Sequence, residues 1–164
     1  DFEYIISDTI VTRDALCPKA KIAVLSNATQ LHKESVCRAL NRVDDNILKI
    51  DSVLDSRIRQ IDRPHASGFG FAQLLEQLKR FDGNLMIQTM FLKGDVDGQS
   101  VNNMTEEEIT GWLDALRQIA PKQVMIYTID RETPAKGLLK ATHEELDGIA
   151  ERVRQAGFNV SVSY

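Results

Sequence analysis

Gln123-Val124-Met125-Ile126-Tyr127-Thr128-Ile129 starts 38 residues after Leu85-Met86-Ile87-Gln88-Thr89-Met90-Phe91-Leu92. Both runs are short, apolar and rich in strand-forming side chains. Between them the apolar residues Ile109, Trp112, Leu113, Leu116 and Ile119 recur at helical spacing. Two strands joined through a helix must lie parallel, because a tight turn cannot reverse them. The same reading extends outward to Ile47–Asp51, Ile22–Leu25 and Asn159–Tyr164. The five starts fall at 22, 47, 85, 123 and 159, so they are 25, 38, 38 and 36 residues apart. This alternation predicts an α/β chain with a parallel sheet of about five strands built from βα units.

The helices between the strands carry their own punctuation. Thr105 with Glu108 and Thr142 with Glu145 each have capping-box spacing, in which hydroxyl and carboxylate satisfy orphan backbone donors. Pro121 stops the first of these helices. Leu146, Ile149, Ala150 and Val153 form the stripe of the second, and Gly157 is its C-terminal stop. Leu74, Leu75 and Leu78 mark a helix after Gly68, and Val36, Cys37 and Leu40 a shorter one. Phe2, Ile5 and Ile6 suggest that the chain opens in a helix. Glu106-Glu107-Glu108 reads as a solvated first turn favoured by the helix dipole. No linker or low-complexity stretch divides residues 1–164, which read as a single domain.

Composition narrows the function. The chain has 164 residues, 43% hydrophobic and 27% charged, an ordinary globular balance. With 20 Lys+Arg against 24 Asp+Glu the formal charge is −4, without the basic footprint of a nonspecific nucleic-acid binder. The longest apolar runs have four residues, Ile22–Leu25 and Val124–Tyr127, so no membrane span or signal peptide is expected. Cys17 and Cys37 cannot make a disulfide scaffold, and the chain reads as cytoplasmic. Cys37, on an apolar helix face, reads as core. There is no phosphate-cradling P-loop, no G-x-G-x-x-G after a strand and no G-x-S-x-G elbow. His32, His65 and His143 have no metal-ligand spacing.

Parallel sheets gather ligand sites at the carboxyl ends of their strands. The first strand ends Ser26-Asn27-Ala28-Thr29, which suits either a solvated turn or a ligand. In the second, Lys49 and Asp51 share a face, as a mutual salt bridge or a polar pair at a cavity. Gln88 lies in an apolar strand, where backbone bonding is the alternative to a ligand. The fourth ends Asp130-Arg131, a substrate contact or an ion pair. Four polar strand ends on apolar strand bodies together suggest a binding or catalytic mouth.

Those strand ends carry a resemblance. Ala23-Val24-Leu25-Ser26-Asn27-Ala28-Thr29, Lys49-Ile50-Asp51, Ile61-Asp62-Arg63-Pro64-His65, Ile87-Gln88-Thr89-Met90-Phe91 and Tyr127-Thr128-Ile129-Asp130-Arg131 occur in an order that resembles the later half of radical S-adenosylmethionine (radical SAM) enzymes. The branch most similar is that of iron–sulfur oxidoreductases related to wyosine-synthesis and glycyl-radical activating enzymes. The resemblance implies a partial (β/α) TIM-like barrel lacking its first two strands, with strands three to six plus a terminal strand present. It implies S-adenosylmethionine (SAM) as cofactor and a 4Fe-4S cluster in the full-length protein, held by a C-x-x-x-C-x-x-C loop. Neither that loop nor the family's G-G-E motif occurs in this sequence. The chain therefore looks like a fragment beginning just after the G-G-E strand, inactive by itself.

Residue by residue, the resemblance implies that Ser26, Asn27, Lys49, Asp51, Gln88, Tyr127 and Thr128 approach SAM, Tyr127 and Thr128 through their backbone. Arg63, His65 and Arg131 would face the substrate. No residue of the chain is expected to bind metal, and the catalytic residues stay open. An unknown substrate (small molecule, protein or tRNA) and a reductant such as flavodoxin or ferredoxin are the implied partners. The Ile22–Leu25 edge, left open in a partial barrel, is expected to drive self-association. The alternative is a small α/β SAM- or nucleotide-binding module without radical chemistry.

Overall fold

The computed structural model describes residues 1–65, 68–133 and 135–164. The elements run α1 (Phe2–Leu16), β1 (Ala23–Ser26), α2 (Glu34–Leu40), β2 (Asp45–Lys49), α3 (Asp55–Ile61), α4 (Phe71–Lys79), β3 (Met86–Met90), β4 (Leu92–Val96), β5 (Gln99–Asn102), α5 (Glu106–Ile119), β6 (Gln123–Tyr127), β7 (Leu138–Lys140), α6 (His143–Gln155) and β8 (Val160–Ser163). The main sheet has the order β1-β2-β3-β6-β8 and every pairing in it is parallel. The five expected strands are these five, in sequence order across the sheet.

Alternation along each strand separates two faces. Leu48, Ile50, Ile87, Val124 and Ile126 point to one face, where they join Leu78, Trp112, Leu116, Leu146 and Val153 in the main core. The helical stripes of α4, α5 and α6 are thus buried against one side of the sheet. On the other face Lys49, Met86, Gln88, Met90, Met125 and Tyr127 are only half-buried. A parallel sheet covered by helices on one face and open on the other has the layering of a partial barrel wall, helices outside and lumen inside.

The expected strand Leu85–Leu92 ends early. After Met90 the chain turns at Phe91 and enters β4, which pairs antiparallel with β5 and β7 in a second sheet of order β5-β4-β7. The hairpin turn is Asp97-Gly98, both with positive φ (54° and 76°), and Asp95 Oδ1 accepts the Gly98 amide at 2.9 Å. That pair of dihedral signs is a type I′ turn, for which Asp-Gly is a strong local signal. Gly94 and Gly137 lie face to face where β4 meets β7. A Cβ on Gly94 would fall 2.1 Å from the Gly137 carbonyl oxygen, so neither position accommodates a side chain.

The helix ends divide in an informative way. Thr142 and Glu145 form the complete capping box. Thr105 also caps its helix, accepting the Glu108 amide, but the Glu108 carboxylate does not return to it. Glu108 is 2% exposed, contrary to a solvated first turn, because its side chain reaches into the β2–α3 loop. Helix α3 has no apolar stripe long enough to be legible; of its residues only Ile58 is buried. Among the described residues no helix is long and apolar enough to cross a membrane. Strand β1 is a sheet edge, and Leu25 on it is 63% exposed.

Candidate functional site

A cavity of about 830 Å³ opens beside the carboxyl end of β2. That volume lies in the range of small-molecule sites. Lys49, Asp51 and Met90 form its floor, and Asp62, Arg63, Pro64 and His65 enter from the end of α3. Asn27, Gln30 and His32 come from the β1–α2 loop, and Gln73 and Gln77 from α4. The sequence brings these together because each strand delivers its last residues to the same side of the sheet.

The floor is a charged cluster. Asp51 has its side chain wholly buried, and Oδ1 accepts the Met90 amide at 2.9 Å. Lys49 Nζ stands 2.6 Å from Asp51 Oδ2, yet Oδ2 receives no well-directed hydrogen bond. Burial works against the charge on Lys49, but the Asp51 carboxylate outweighs it and raises Lys49 above its ordinary value. Tyr127, next to Lys49 on the open face, is raised chiefly by burial. Asp62 approaches Asp51 from α3, and burial together with the neighbouring carboxyl pushes it up to about 7 against the pull of Lys49. Asp62 is also exposed at the cavity mouth.

This contact has a measurable consequence. The folded chain holds a proton on Asp62 between its ordinary carboxyl value of 3.8 and about 7, and the unfolded chain does not. The unfolded state therefore binds fewer protons in that window, and stability falls as pH rises through it. Solvent reaching Asp62 keeps the slope modest. Asp62→Asn is expected to flatten the dependence of urea midpoint on pH across this window, with the variant relatively more stable above pH 7. An unchanged slope in the variant would place the titration elsewhere.

Much of the polarity at the strand ends holds the mouth together. Thr89 Oγ1 donates to the Ile50 carbonyl at 2.7 Å and accepts from Trp112 Nε1 at 3.0 Å. Asn103 Nδ2 donates to the Asp51 and Met90 carbonyls, both at 2.7 Å, and Oδ1 accepts the Leu92 amide at 2.9 Å. Glu108 accepts from Ser52 Oγ at 2.7 Å and the Val53 amide at 3.0 Å, with Arg57 at 3.8 Å. Burial raises the Glu108 carboxyl against these partners. A sheet whose strands end in an irregular mouth needs such pins, so polar strand ends do not by themselves mark ligands. Asn103 and Asp62 were given no role from sequence, and Glu108 was read only as a capping and first-turn carboxylate. Asn102-Asn103 ahead of the Thr105 cap was the available signal for the first.

The residues expected from sequence separate accordingly. Asn27, Lys49, Asp51, Arg63 and His65 all line the cavity. Gln88 pairs in register with Lys49, and Tyr127 with Met90, so both lie on the same open face just beyond it. Ser26 Oγ accepts the Ala28 amide and Asn27 Oδ1 accepts the Thr29 amide, so both side chains shape the turn after β1. The Thr128 hydroxyl is committed to the Phe91 carbonyl and the Ala141 amide, leaving only its backbone for a ligand. Arg131 is exposed and does not line the cavity. Of the alternatives for Lys49 and Asp51, the ion pair is present and it also faces the cavity.

The donor set for an iron–sulfur cluster is not in this chain. Cys17 is exposed, Cys37 is buried in the core, and no group of three His, Cys, Asp or Glu among the described residues could hold a metal. SAM fits better: the strand ends supply a buried carboxylate, ion-paired with Lys49, and the polar side chains of Gln88 and Tyr127 on the open face.

No protein-family model and no curated protein matches the sequence. Solved structures do share the fold. A domain of pyruvate-formate lyase-activating enzyme from Bacteroides vulgatus superposes with a TM-score of 0.67 at 11% identity, over 99% of this chain and 91% of that domain. Streptococcus suis SuiB, solved with S-adenosylmethionine bound, gives 0.66 at 14% identity over 96% of this chain. A radical SAM methyltransferase from Sphaerobacter thermophilus gives 0.58 at 13% identity over 97% of it. This chain spans 36% of SuiB and 56% of the methyltransferase. At these identities the likeness establishes the fold, the α/β wall with its parallel five-stranded sheet.

Proposed function

We propose that this chain is the later part of a radical SAM enzyme core and holds SAM against the open face of its sheet. The observation that carries the reading is polar side chains near the carboxyl ends of three neighbouring parallel strands, Lys49 with Asp51 on and just past β2, Gln88 opposite Lys49 on β3 and Tyr127 opposite Met90 on β6, in a fold shared with a SAM-bound protein. Bound beside a reduced cluster held elsewhere in the enzyme, SAM would supply a carbon-centred radical. This chain's residues position and enclose; cluster ligands must come from elsewhere. Asp51, pinned through Met90 and Asn103, is placed to accept ligand hydroxyl or amine hydrogens. Lys49 balances its charge, and Gln88 and Tyr127 add polar side chains on the next two strands. Arg63 and His65, on the cavity rim, face the substrate. Neighbour SuiB was also solved with its precursor peptide SuiA, which makes a peptide one candidate substrate class here. A flavodoxin or ferredoxin would be the electron donor of the whole enzyme.

Calorimetric titration with SAM tests the reading. Saturable binding, weakened roughly tenfold or more by Asp51→Ala through loss of a buried charged acceptor, is expected. Equal affinity in the variant contradicts it. Incubating the chain with iron and sulfide is expected to assemble no cluster, and a cluster absorbance band would overturn that part. Residues 1–164 are read as one structural unit, and β1 as an open edge that pairs with another strand. Light scattering should show apparent mass rising with concentration, reduced by Leu25→Lys, which places a charge on that edge. A concentration-independent monomer contradicts the edge proposal alone.

A further inference from the structure

The second sheet has one covered edge and one open edge. The Asn103 amide donates to the Leu92 carbonyl, and antiparallel ladder bonds alternate, so Leu92, Gly94 and Val96 bond toward β5. Lys93 and Asp95 bond toward β7, and the Asp95 amide donates to the Gly137 carbonyl at 3.1 Å. On β5 this register aims Ser100 outward, where its carbonyl accepts from Arg57 Nη1 of α3 at 2.8 Å. Gln60 Nε2 of the same helix donates to Gln99 Oε1 at 3.2 Å, so α3 covers that edge. On β7 the register aims the N–H and C=O groups of Leu138 and Lys140 outward. Among the described residues no strand pairs with that side, and these four groups have no hydrogen-bond partner.

Outward backbone groups at two-residue spacing are what an added strand needs. The side chains select its chemistry. Ala135–Ala141 holds Lys136 and Lys140 and no acidic residue. Both lysines are exposed, and neither has an ion-pair partner among the described residues, unlike Lys93 across the ladder, which holds Glu145. Leu139, on the other side of the strand, is 58% exposed. Two copies of this edge would set lysines against one another, which is unfavourable across a ladder; an acidic strand is attracted instead. The edge also leads to the mouth. Thr128, just past β6, accepts the Ala141 amide and donates to the Phe91 carbonyl, both at 2.8 Å, which pins the end of β7 to the carboxyl ends of β3 and β6. We propose that the outer edge of β7 binds an extended acidic peptide as a fourth strand of this sheet, beside the mouth. The inference goes beyond the proposed function and stands without it, because the strand edge uses none of the side chains assigned to SAM.

Three probes separate ladder from charge: the capped pentapeptide Glu-Val-Thr-Val-Glu, its counterpart with Lys at both ends, and the acidic peptide methylated on every backbone amide. Each is titrated into the nitrogen-labelled folded chain and followed by nitrogen–proton NMR. With the acidic peptide, saturable shifts are expected at the Leu138 and Lys140 amides, and their hydrogen exchange should slow. The Leu139 amide, which faces β4, should keep its exchange rate. The basic and the methylated peptides should bind at least about fivefold more weakly. Lys136→Glu with Lys140→Glu should reverse the order of the acidic and basic peptides. Lysine on an edge also guards against self-pairing, and a guard alone would leave the edge empty of every peptide. No shift at the two outward amides, equal binding of the methylated peptide, or an acidic preference that survives the double substitution would overturn the inference. A parallel SAM titration read at Gln88 and Tyr127 judges the proposed function separately.

Discussion

Asn103→Ala is expected to lower the unfolding free energy by about 3–4 kcal/mol, because it orphans three buried backbone groups at once. Asn103 is 1% exposed and joins the end of β2, through the Asp51 carbonyl, to the Met90 carbonyl and Leu92 amide on either side of the β3–β4 bend. Asn103→Asp is the sharper control: it keeps the acceptor for Leu92 but turns both donors into an acidic oxygen facing two carbonyls. It should be no more stable than the alanine variant. Urea midpoints measure both, with an unchanged slope showing that the native state rather than the denatured one has altered. Because the same side chain sets where Asp51 and Met90 sit, ligand affinity should fall with stability. A loss below about 1 kcal/mol would mean that water replaces the side chain without cost.

Glu108→Ala is the second large effect, about 2–3 kcal/mol, from the loss of two charge-assisted bonds and the stranding of the Val53 amide. Arg57 keeps Gln60 and the Ser100 carbonyl, so its cost is small. Glu108→Gln should recover part of the loss, since an amide oxygen can still accept from Ser52 while its NH2 group opposes the Val53 amide. Thermal or urea unfolding of the three proteins checks the order, wild type above Gln above Ala. A variant Ala as stable as wild type would contradict the structural role of this carboxylate.

The parallel sheet was legible because β1, β2, β3, β6 and β8 are short apolar runs at βα spacing. Helices α5 and α6 were legible because a cap opens each and an apolar stripe fills it. What escaped has physical reasons. Helix α3 is seven residues with one buried side chain, too little for a periodic pattern. The β4–β5 hairpin is largely polar, and its Asp97-Gly98 turn was the one signal that could have revealed it. The site was half legible. Lys49 and Asp51 carry charge inside an apolar run, and that anomaly survives in the structure as the cavity floor. Glu108 was misread because N3 of a helix is where a capping-box carboxylate belongs, and only the tertiary fold brings Ser52 and Val53 within its reach. Asp62 was passed over for a related cause: nothing in Ile61-Asp62-Arg63 shows that the end of α3 lies beside the cavity.

Nitrogen–proton NMR mapping of SAM on the labelled chain is the most direct measurement of whether the open sheet face holds this ligand. Saturable shifts concentrated at Asn27, Lys49, Asp51, Gln88 and Tyr127, with the helix-facing Leu48, Ile87 and Val124 unmoved, are the expected result. No saturable shift, or one centred away from the carboxyl ends of β2, β3 and β6, would contradict it.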